Sequence, residues 1–200
     1  MEKIGIIVEY NPLHNGHLLH FNKIKQKYPN SFIISVMSSS ITSRGDISII
    51  DKFKKTYQAL KMGIDLVIEL PFVYACERAD IFANNAVKIL NLIGVDKIIC
   101  GSENNDLNIY ENYYHEFKQN DFINLPPNDN LGFFYYKSIK DNNFKLSLEL
   151  IQREENDEII SSTKIRNDLN NIKKYIPDFT HNDYDNILDY NKIFNYLKYK

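Results

Sequence analysis

Residues 4–18 read IGIIVEYNPLHNGHL, and this stretch decides the fold. It begins with a predicted strand, Ile4–Val8, which is apolar on both faces, as is typical of a central strand in a parallel sheet. A polar turn containing His14 and Gly16 follows, and then a predicted helix, His17–Lys27. A strand, a turn and a helix in this order open a βαβ unit, whose ligands bind beyond the carboxyl ends of the strands.

The rest of the chain continues this alternation of strands and helices. Further strands are predicted at Phe32–Met37, Asp65–Leu70, Lys97–Cys100 and Phe144–Leu150. Helices are predicted from a cap at Asp51 to Met62, and at Ala79–Ile93, Leu107–Phe117, Leu131–Lys140, Thr163–Lys174 and Tyr184–Tyr199. The pattern predicts an α/β fold with a doubly wound parallel sheet. We expect one domain over residues 1–174 and the start of a helical C-terminal region over 175–200.

Composition and charge exclude several classes of protein. The chain has 200 residues, of which 44% are hydrophobic, and a net charge of -2, so it is neither disordered nor strongly basic. No stretch reaches the ~18 apolar residues of a membrane span, and the N-terminus does not resemble a signal peptide. We therefore expect a cytoplasmic protein with no membrane partner. Only four arginines occur, at positions 44, 78, 153 and 166, and no role is predicted for Arg78.

The turn after the first strand carries the candidate chemistry. It has neither a Walker A lysine nor a GxGxxG pattern, but His14, Gly16 and His17 form an HxGH motif at a helix start. Free amide groups and the helix dipole would attract a phosphate there, and two imidazoles would stabilise a reacting α-phosphate and a pyrophosphate leaving group. The alternative is that the histidines only cap the helix.

A second candidate site lies late in the chain, in the segment ISSTKIR (160–166). Ser162 and Thr163 stand at a predicted helix start and can donate to an anion, and Lys164 and Arg166 can reach the same phosphates. Alone, this segment fits an ordinary helix cap equally well.

Taken together, the two motifs resemble the HUP-type nucleotidyltransferase superfamily. Within it the chain resembles the bacterial tRNA(Met) cytidine acetate ligases, in the stretches VEYNPLHNGHL (8–18), VMS (36–38), RGD (44–46), GIDLVIELP (63–71), ADIFA (79–83) and GSE (101–103). The resemblance implies an ATP-dependent ligase that converts acetate to acetyl-adenylate and then acetylates N4 of the wobble cytidine of elongator tRNA(Met). It implies ATP and acetate as small-molecule substrates. Mg²⁺ is expected with ATP because it neutralises phosphate charge; no metal site built by the protein is predicted.

The resemblance also assigns residues to the ATP site. Its first segment is Ile7, Val8, Glu9, Tyr10, Asn11, Pro12, Leu13, His14, Asn15, Gly16, His17, Leu18, Leu19 and His20, with His14 and His17 as the catalytic pair. Further expected contacts are Gly101, Asn128, Arg153, Ser162, Thr163 and Arg166. Asn130 is a close rival of Asn128, and a surface ion pair is the alternative role of Arg153 and of Arg166.

The chain also departs from the family. Residues 38–45 read SSSITSRG, where the family has a glycine, an aromatic residue and a glutamine before Arg-Gly. Family members are longer, so the chain is expected to be C-terminally truncated, with a weaker hold on tRNA. Two other functions stay open: a small-molecule adenylyltransferase that forms a dinucleotide, and a degenerate nucleotide-binding protein without catalysis.

Overall fold

A five-stranded parallel sheet forms the centre of the structure, a computed structural model that describes residues 1–117, 124–153, 161–185, 187, 195 and 198. The strands are β1 Lys3–Val8, β2 Phe32–Ser38, β3 Leu66–Leu70, β4 Lys97–Ser102 and β5 Ser147–Gln152. The helices are α1 Asn15–Lys27, α2 Lys52–Met62, α3 Phe72–Ala75, α4 Ala79–Leu92, α5 Leu107–Glu116, α6 Pro127–Asp141 and α7 Ser162–Asn167. The strand order is β3-β2-β1-β4-β5, and every pairing is parallel. The predicted fold class is confirmed.

Helices cover both faces of the sheet, which explains the apolar character of β1. Ile4 and Ile6 belong to one core cluster, with Phe21 and Ile24 of α1 and Ala59 of α2. The opposite face packs Val36 and Ile98 against Phe82 and Leu90 of α4 and Phe133 of α6. The order of the strands reverses between β1 and β4, so the crevice for a ligand opens beyond the carboxyl ends of these two strands.

Gly5 allows α4 to approach the sheet closely. A Cβ atom at this position would stand 2.8 Å from Cδ1 of Leu90 and 3.1 Å from Cγ1 of Val95. Because a real side chain does not tolerate such contacts, the glycine in the middle of β1 is needed for packing.

The ends of α2 follow the sequence prediction, whereas α1 begins earlier than predicted. The Asp51 carboxylate accepts hydrogen bonds from the amides of Phe53 (2.9 Å) and Lys54 (3.0 Å), and Gly63 ends the helix with φ of 117°. Helix α1 begins at Asn15, two residues before the predicted start, because the side chain of His14 caps it.

Two elements after Gly101 differ from the prediction. Helix α6 begins at Pro127, four residues before the predicted start at Leu131, because proline suits the first position of a helix. Strand β5 begins at Ser147 rather than Phe144. Asn143, with φ of 52°, ends the turn after α6, and the amide of Phe144 donates to the Ile139 carbonyl at 3.0 Å, so Phe144 belongs to that turn.

The predicted helix Thr163–Lys174 is two shorter elements. Helix α7 ends at Asn167, and a 3-10 helix, Leu169–Lys174, follows after Asp168. The short helix α3 was not predicted at all. Most of the predicted helix Tyr184–Tyr199 lies outside the described residues.

Residues 172–184 pack on the domain that contains the sheet. Ile172, Ile176 and Tyr184 share a core cluster with Ile49 and Ile50. A second 3-10 helix, Asp178–Tyr184, lies along α2, where Asp183 accepts a hydrogen bond from Gln58 at 2.9 Å. The boundary at residue 174 stays a prediction. Among the described residues, no helix is long and apolar enough to cross a membrane.

Candidate active site

The loop between β1 and α1 is held by contacts from distant parts of the chain. The Asn11 side-chain oxygen accepts a hydrogen bond from the Ile49 amide at 2.9 Å, and the Asn11 carbonyl accepts one from Nη1 of Arg166 at 2.8 Å. The Asn15 amide donates to the Tyr175 carbonyl at 2.8 Å. Tyr10 has φ of 47°, and the Asn11–Pro12 peptide bond is cis. These contacts fix the backbone from which His14 and His17 project.

His14 and His17 cap the start of α1 reciprocally. Nδ1 of His14 accepts the Gly16 amide at 3.1 Å, and Nδ1 of His17 accepts the His14 amide at 3.3 Å. A ring nitrogen that accepts a hydrogen bond carries no proton, so both rings must hold their proton on Nε2. The arrangement therefore leaves two Nε2–H donors, one on each ring, that the cap does not use.

The two imidazole rings are stacked and uncharged at neutral pH. Their centroids lie 3.7 Å apart with an angle of 22° between the planes, and the Tyr10 ring packs 4.8 Å from His17. Burial, with the Arg153 charge as a smaller cause, lowers the pKa of His14 to about 4. Burial and the neighbouring His14, His20 and Arg153 hold the pKa of His17 well below its usual range. The pair thus offers neutral hydrogen-bond donors rather than positive charge.

The amides at the start of α1 are not free, contrary to the sequence-based expectation. The Asn15 amide is bonded to Tyr175, the Gly16 amide to His14 Nδ1, and the His17 amide to the His14 carbonyl at 2.9 Å. A Cβ atom at Gly16 would lie 3.0 Å from Cε1 of His14, so this glycine accommodates the folded-back His14 ring. The imidazoles, not the backbone amides, are the donors that this helix start presents.

The late motif lies against the histidine loop. Ser161 caps α7 by accepting the Lys164 amide at 3.1 Å, and Ser162 and Thr163 form the first turn. Arg166 donates to the Asn11 carbonyl, and its Nη2 donates to Oγ1 of Thr163 at 3.3 Å. The structure therefore brings the two motifs together, although 142 residues (18–159) lie between them in the sequence.

Gly101, Arg153 and Asn128 meet on the opposite wall, at the carboxyl ends of β4 and β5. Nη1 of Arg153 lies 3.4 Å from Oε1 of Glu103, which also accepts a hydrogen bond from Nδ2 of Asn128. A Cβ atom at Gly101 would stand 3.3 Å from Cγ of Arg153 and 3.9 Å from Cδ2 of His20. Burial, with the charges of Arg153 and Lys23 as smaller causes, lowers the pKa of His20 to about 4. His20 thus joins this wall to the histidine loop.

The remaining predicted residues of this segment line the same loop. Ile7 and Val8 are the last, half-buried residues of β1, and Pro12 and Leu13 are buried. Oε1 of Glu9 accepts the Ser43 amide at 2.7 Å, which ties the loop after β2 to the first loop. Leu18 packs on the core, whereas Leu19 is exposed.

Arg78, which had no predicted role, forms an ion pair with Asp80 at 2.8 Å.

Asp129 was missed as a site residue and is fully buried. Its carboxylate accepts hydrogen bonds from the Tyr110 hydroxyl (2.7 Å), from the backbone and side-chain nitrogens of Asn104 (3.0 and 2.9 Å) and from Ser102. It lies between the rival residues Asn128, which donates to Glu103, and Asn130, whose buried Oδ1 has no hydrogen-bond partner in the described structure. A run of three polar residues after Pro127 was the only signal for it.

Lys55 was missed as well, although its position in α2 gives a signal. It is fully buried and donates to the carbonyls of Ser38 (2.8 Å) and Ser39 (2.9 Å) and to the Ser48 hydroxyl (3.2 Å). Burial lowers its pKa to about 8. The buried face of α2 consists of residues at helical spacing, Lys55, Gln58, Ala59 and Met62. A lysine on this face stands at a position where an apolar residue is usual. It holds both ends of the loop after β2 beside the histidine loop.

Among the described residues, no group of three or more His, Cys, Asp or Glu side chains could hold a metal ion. The expected Mg²⁺ stays a prediction.

Comparisons with known proteins show the family to which the chain belongs. Residues 1–124 match the HIGH Nucleotidyl Transferase family. A tRNA(Met) cytidine acetate ligase of Fusobacterium nucleatum is 36% identical over 89% of the chain, and one of Anoxybacillus flavithermus is 31% identical over the whole chain. The chain spans 56% and 63% of the lengths of these two proteins.

Solved structures of similar fold include those of Thermotoga maritima TmcAL. The crystal structure of Thermotoga maritima TmcAL bound with alpha-thio ATP superposes with a TM-score of 0.79 at 28% identity. The match covers 92% of this chain and 55% of that one. An apo form of the same protein gives the same TM-score and identity.

Proposed function

The chain belongs to the HIGH nucleotidyl transferase family, and from that premise we propose that it is a tRNA(Met) cytidine acetate ligase of the cytoplasm. In the first step, an acetate oxygen attacks the α-phosphorus of ATP and pyrophosphate leaves, which gives acetyl-adenylate. In the second step, the N4 amine of the wobble cytidine of elongator tRNA(Met) attacks the acetyl carbonyl. AMP then leaves and one N4 proton is released to solvent. The relatives' names and the ATP analogue in the TmcAL crystal structure support this proposal.

One observation carries the proposal for the first step: the reciprocal cap that fixes His14 and His17 as neutral Nε2–H donors. The reacting α-phosphate gains negative charge on its oxygens in the transition state, and donors held in advance stabilise that charge without reorganising. Neutral imidazoles suit this role because they keep their proton on Nε2 throughout the physiological pH range.

The walls of the crevice suit the rest of the nucleotide. Gly101 leaves room beside β4, and we assign the base or ribose to this side, with Asn128 and Arg153 as contacts. Arg166 is bonded to the backbone of the histidine loop, so we assign it, with Ser162 and Thr163, to the phosphates and to the shape of that loop. Mg²⁺ bound with ATP would neutralise phosphate charge.

The test is acetylation in vitro. Purified protein is incubated with labelled acetate, ATP, Mg²⁺ and elongator tRNA(Met), and the digested tRNA is analysed for N4-acetylcytidine. We expect one AMP and one pyrophosphate for each acetyl group, and no product from a tRNA with uridine at the wobble position. Exchange of labelled pyrophosphate into ATP, measured without tRNA, isolates the first step and should require acetate.

Other outcomes would contradict the proposal. Pyrophosphate release only with a pyridine mononucleotide or phosphopantetheine would identify a small-molecule adenylyltransferase. Binding of ATP without exchange in the presence of acetate would identify a nucleotide-binding protein that does not catalyse.

A further inference from the structure

Exposed aromatic side chains are concentrated in one part of the described surface. Of the eleven large hydrophobic side chains that the described residues expose, seven lie between residues 53 and 74. All four aromatic ones are among these seven: Phe53 (75% exposed), Tyr57 (57%), Phe72 (56%) and Tyr74 (38%). We call these four residues the aromatic face. Burying such rings is strongly favourable, so their exposure points to a partner.

Lysines accompany the rings of this face. The Lys52 ammonium lies 5.6 Å from the centre of the Phe53 ring, and the Lys61 ammonium lies 5.8 Å from the centre of the Tyr57 ring. Not all lysines of α2 are available to a ligand: Lys55 is fully buried, and Lys52 is paired with Glu69. Lys54 and Lys61 donate to backbone carbonyls instead, at 3.1 and 3.4 Å. The positive charge beside the rings on α2 therefore comes from Lys54 and Lys61.

Three of the four rings, Phe53, Phe72 and Tyr74, lie near the edge of the sheet that carries the histidine loop, and Tyr57 lies one helical turn from Phe53 on α2. Phe72 and Tyr74 follow the carboxyl end of β3, and Lys52, beside Phe53, joins the start of α2 to Glu69 near that end with a distance of 2.9 Å. Because β2 alone separates β3 from β1, the ends of β3 and β1 are about 10 Å apart. A molecule bound on the aromatic face would reach the site of the α-phosphate chemistry.

From this placement we propose that the aromatic face docks a single-stranded RNA loop, whose unpaired bases stack on Phe53, Tyr57 and Phe72 while lysines meet its phosphates. Unstacked bases bind aromatic rings in this way, and nearby cations attract the backbone. An interface with a second protein copy fits less well, because lysine is depleted from the centres of protein interfaces. The proposal rests on the proposed function for the identity of the RNA, which is the loop that carries the acceptor cytidine.

The experiment measures binding and the first reaction step separately. A fluorescent RNA hairpin with the anticodon loop of elongator tRNA(Met) is titrated with the wild-type chain and with Phe53→Ala, Tyr57→Ala and Phe72→Ala, and binding is followed by anisotropy. Leu92→Ala is the control, because Leu92 is 83% exposed on α4, outside the face. We expect each aromatic substitution to weaken binding by about fivefold to 100-fold, and the control to bind like the wild type.

Acetate-dependent pyrophosphate exchange should not change in these variants, since the three side chains are exposed and belong to α2 and α3, outside the loop between β1 and α1. Equal hairpin affinity in all variants, or no binding by the wild type, would overturn the proposal. So would a wild-type dimer that the aromatic substitutions dissociate without changing hairpin affinity, because the face would then join two copies. If the wild type shows no exchange, the proposed function fails, but the hairpin titrations still decide the role of the face.

Discussion

Replacing His17 with alanine should separate its catalytic role from its structural one. The substitution removes the Nδ1 atom that accepts the His14 amide at 3.3 Å, and it removes the Nε2–H donor that we assign to the phosphate. Loss of the first interaction should lower the free energy of unfolding by about 1 kcal/mol, as for other helix caps. For a chain of this size, that corresponds to a fall of about 2–4 °C in the unfolding temperature.

Loss of the second interaction should have a much larger effect on the rate. A preorganised donor to a transition-state oxyanion contributes about 10²–10³-fold, so acetate-dependent pyrophosphate exchange should slow by at least ~10²-fold. The fall should appear in kcat, because the charge that the donor stabilises develops fully only in the transition state.

Asp51→Ala is the matched control. Asp51 caps α2 through two amide hydrogen bonds of 2.9 and 3.0 Å, so its loss should cost a similar amount of stability without removing a donor from the site. Thermal unfolding and pyrophosphate exchange are measured on both variants. If His17→Ala loses stability like the control but keeps the wild-type exchange rate, His17 is only a helix cap and the assignment is wrong.

Three further predictions concern pH, charge and packing. The pKa of His14 and of His20 is about 4 in the folded chain and near 6.5 unfolded, so the unfolded chain binds more protons between these values. Their contribution to stability should be complete above pH 6.5 and fall as the pH approaches 4; a urea midpoint that stays constant over this range would contradict it. Arg153→Met should raise the pKa of all three histidines, because it removes a positive charge that lowers each one; NMR titration of the imidazoles checks this, and unchanged values would exclude the electrostatic link. Gly132→Ala should destabilise the fold by about 1–3 kcal/mol, because the new Cβ atom would collide with the hydroxyl of the buried Tyr110, and denaturant unfolding measures the loss. A midpoint equal to that of the wild type would show that Tyr110 moves aside freely.

Much of the fold could be predicted because runs of apolar residues and helix caps are set by residues that are close together in the sequence. The continuous apolar run Ile4–Val8 marks a strand that is buried on both faces, and the structure places it at the centre of the sheet. Asp51 and Gly63 mark the ends of α2 because capping depends on only a few neighbouring residues. The predicted start of α6 was wrong because proline occurs both in loops and at the first position of helices, and Pro127 begins the helix.

The position of the candidate site could be predicted from the sequence, but the hydrogen-bond donors that it offers could not. The HxGH motif marks a helix start, and its free amides were a reasonable expectation from the motif alone. The contact from Asn15 to Tyr175 removes one of those amides, and Tyr175 lies 160 residues further along the chain of 200. No local pattern reports such a contact.

Sequence by itself determined the alternation of strands and helices, the position of the histidine motif and the identity of its residues, because these follow from periodicity, capping and chemical type. Only the tertiary structure decided that His14 and His17 cap each other and present neutral Nε2–H donors, that Arg166 holds the loop through the Asn11 carbonyl, and that Lys55 is buried beside it. The physical reason is that hydrogen-bond partners and burial are properties of the folded chain. They set the pKa of a histidine and the donors that it can offer, and residues far apart in sequence supply them.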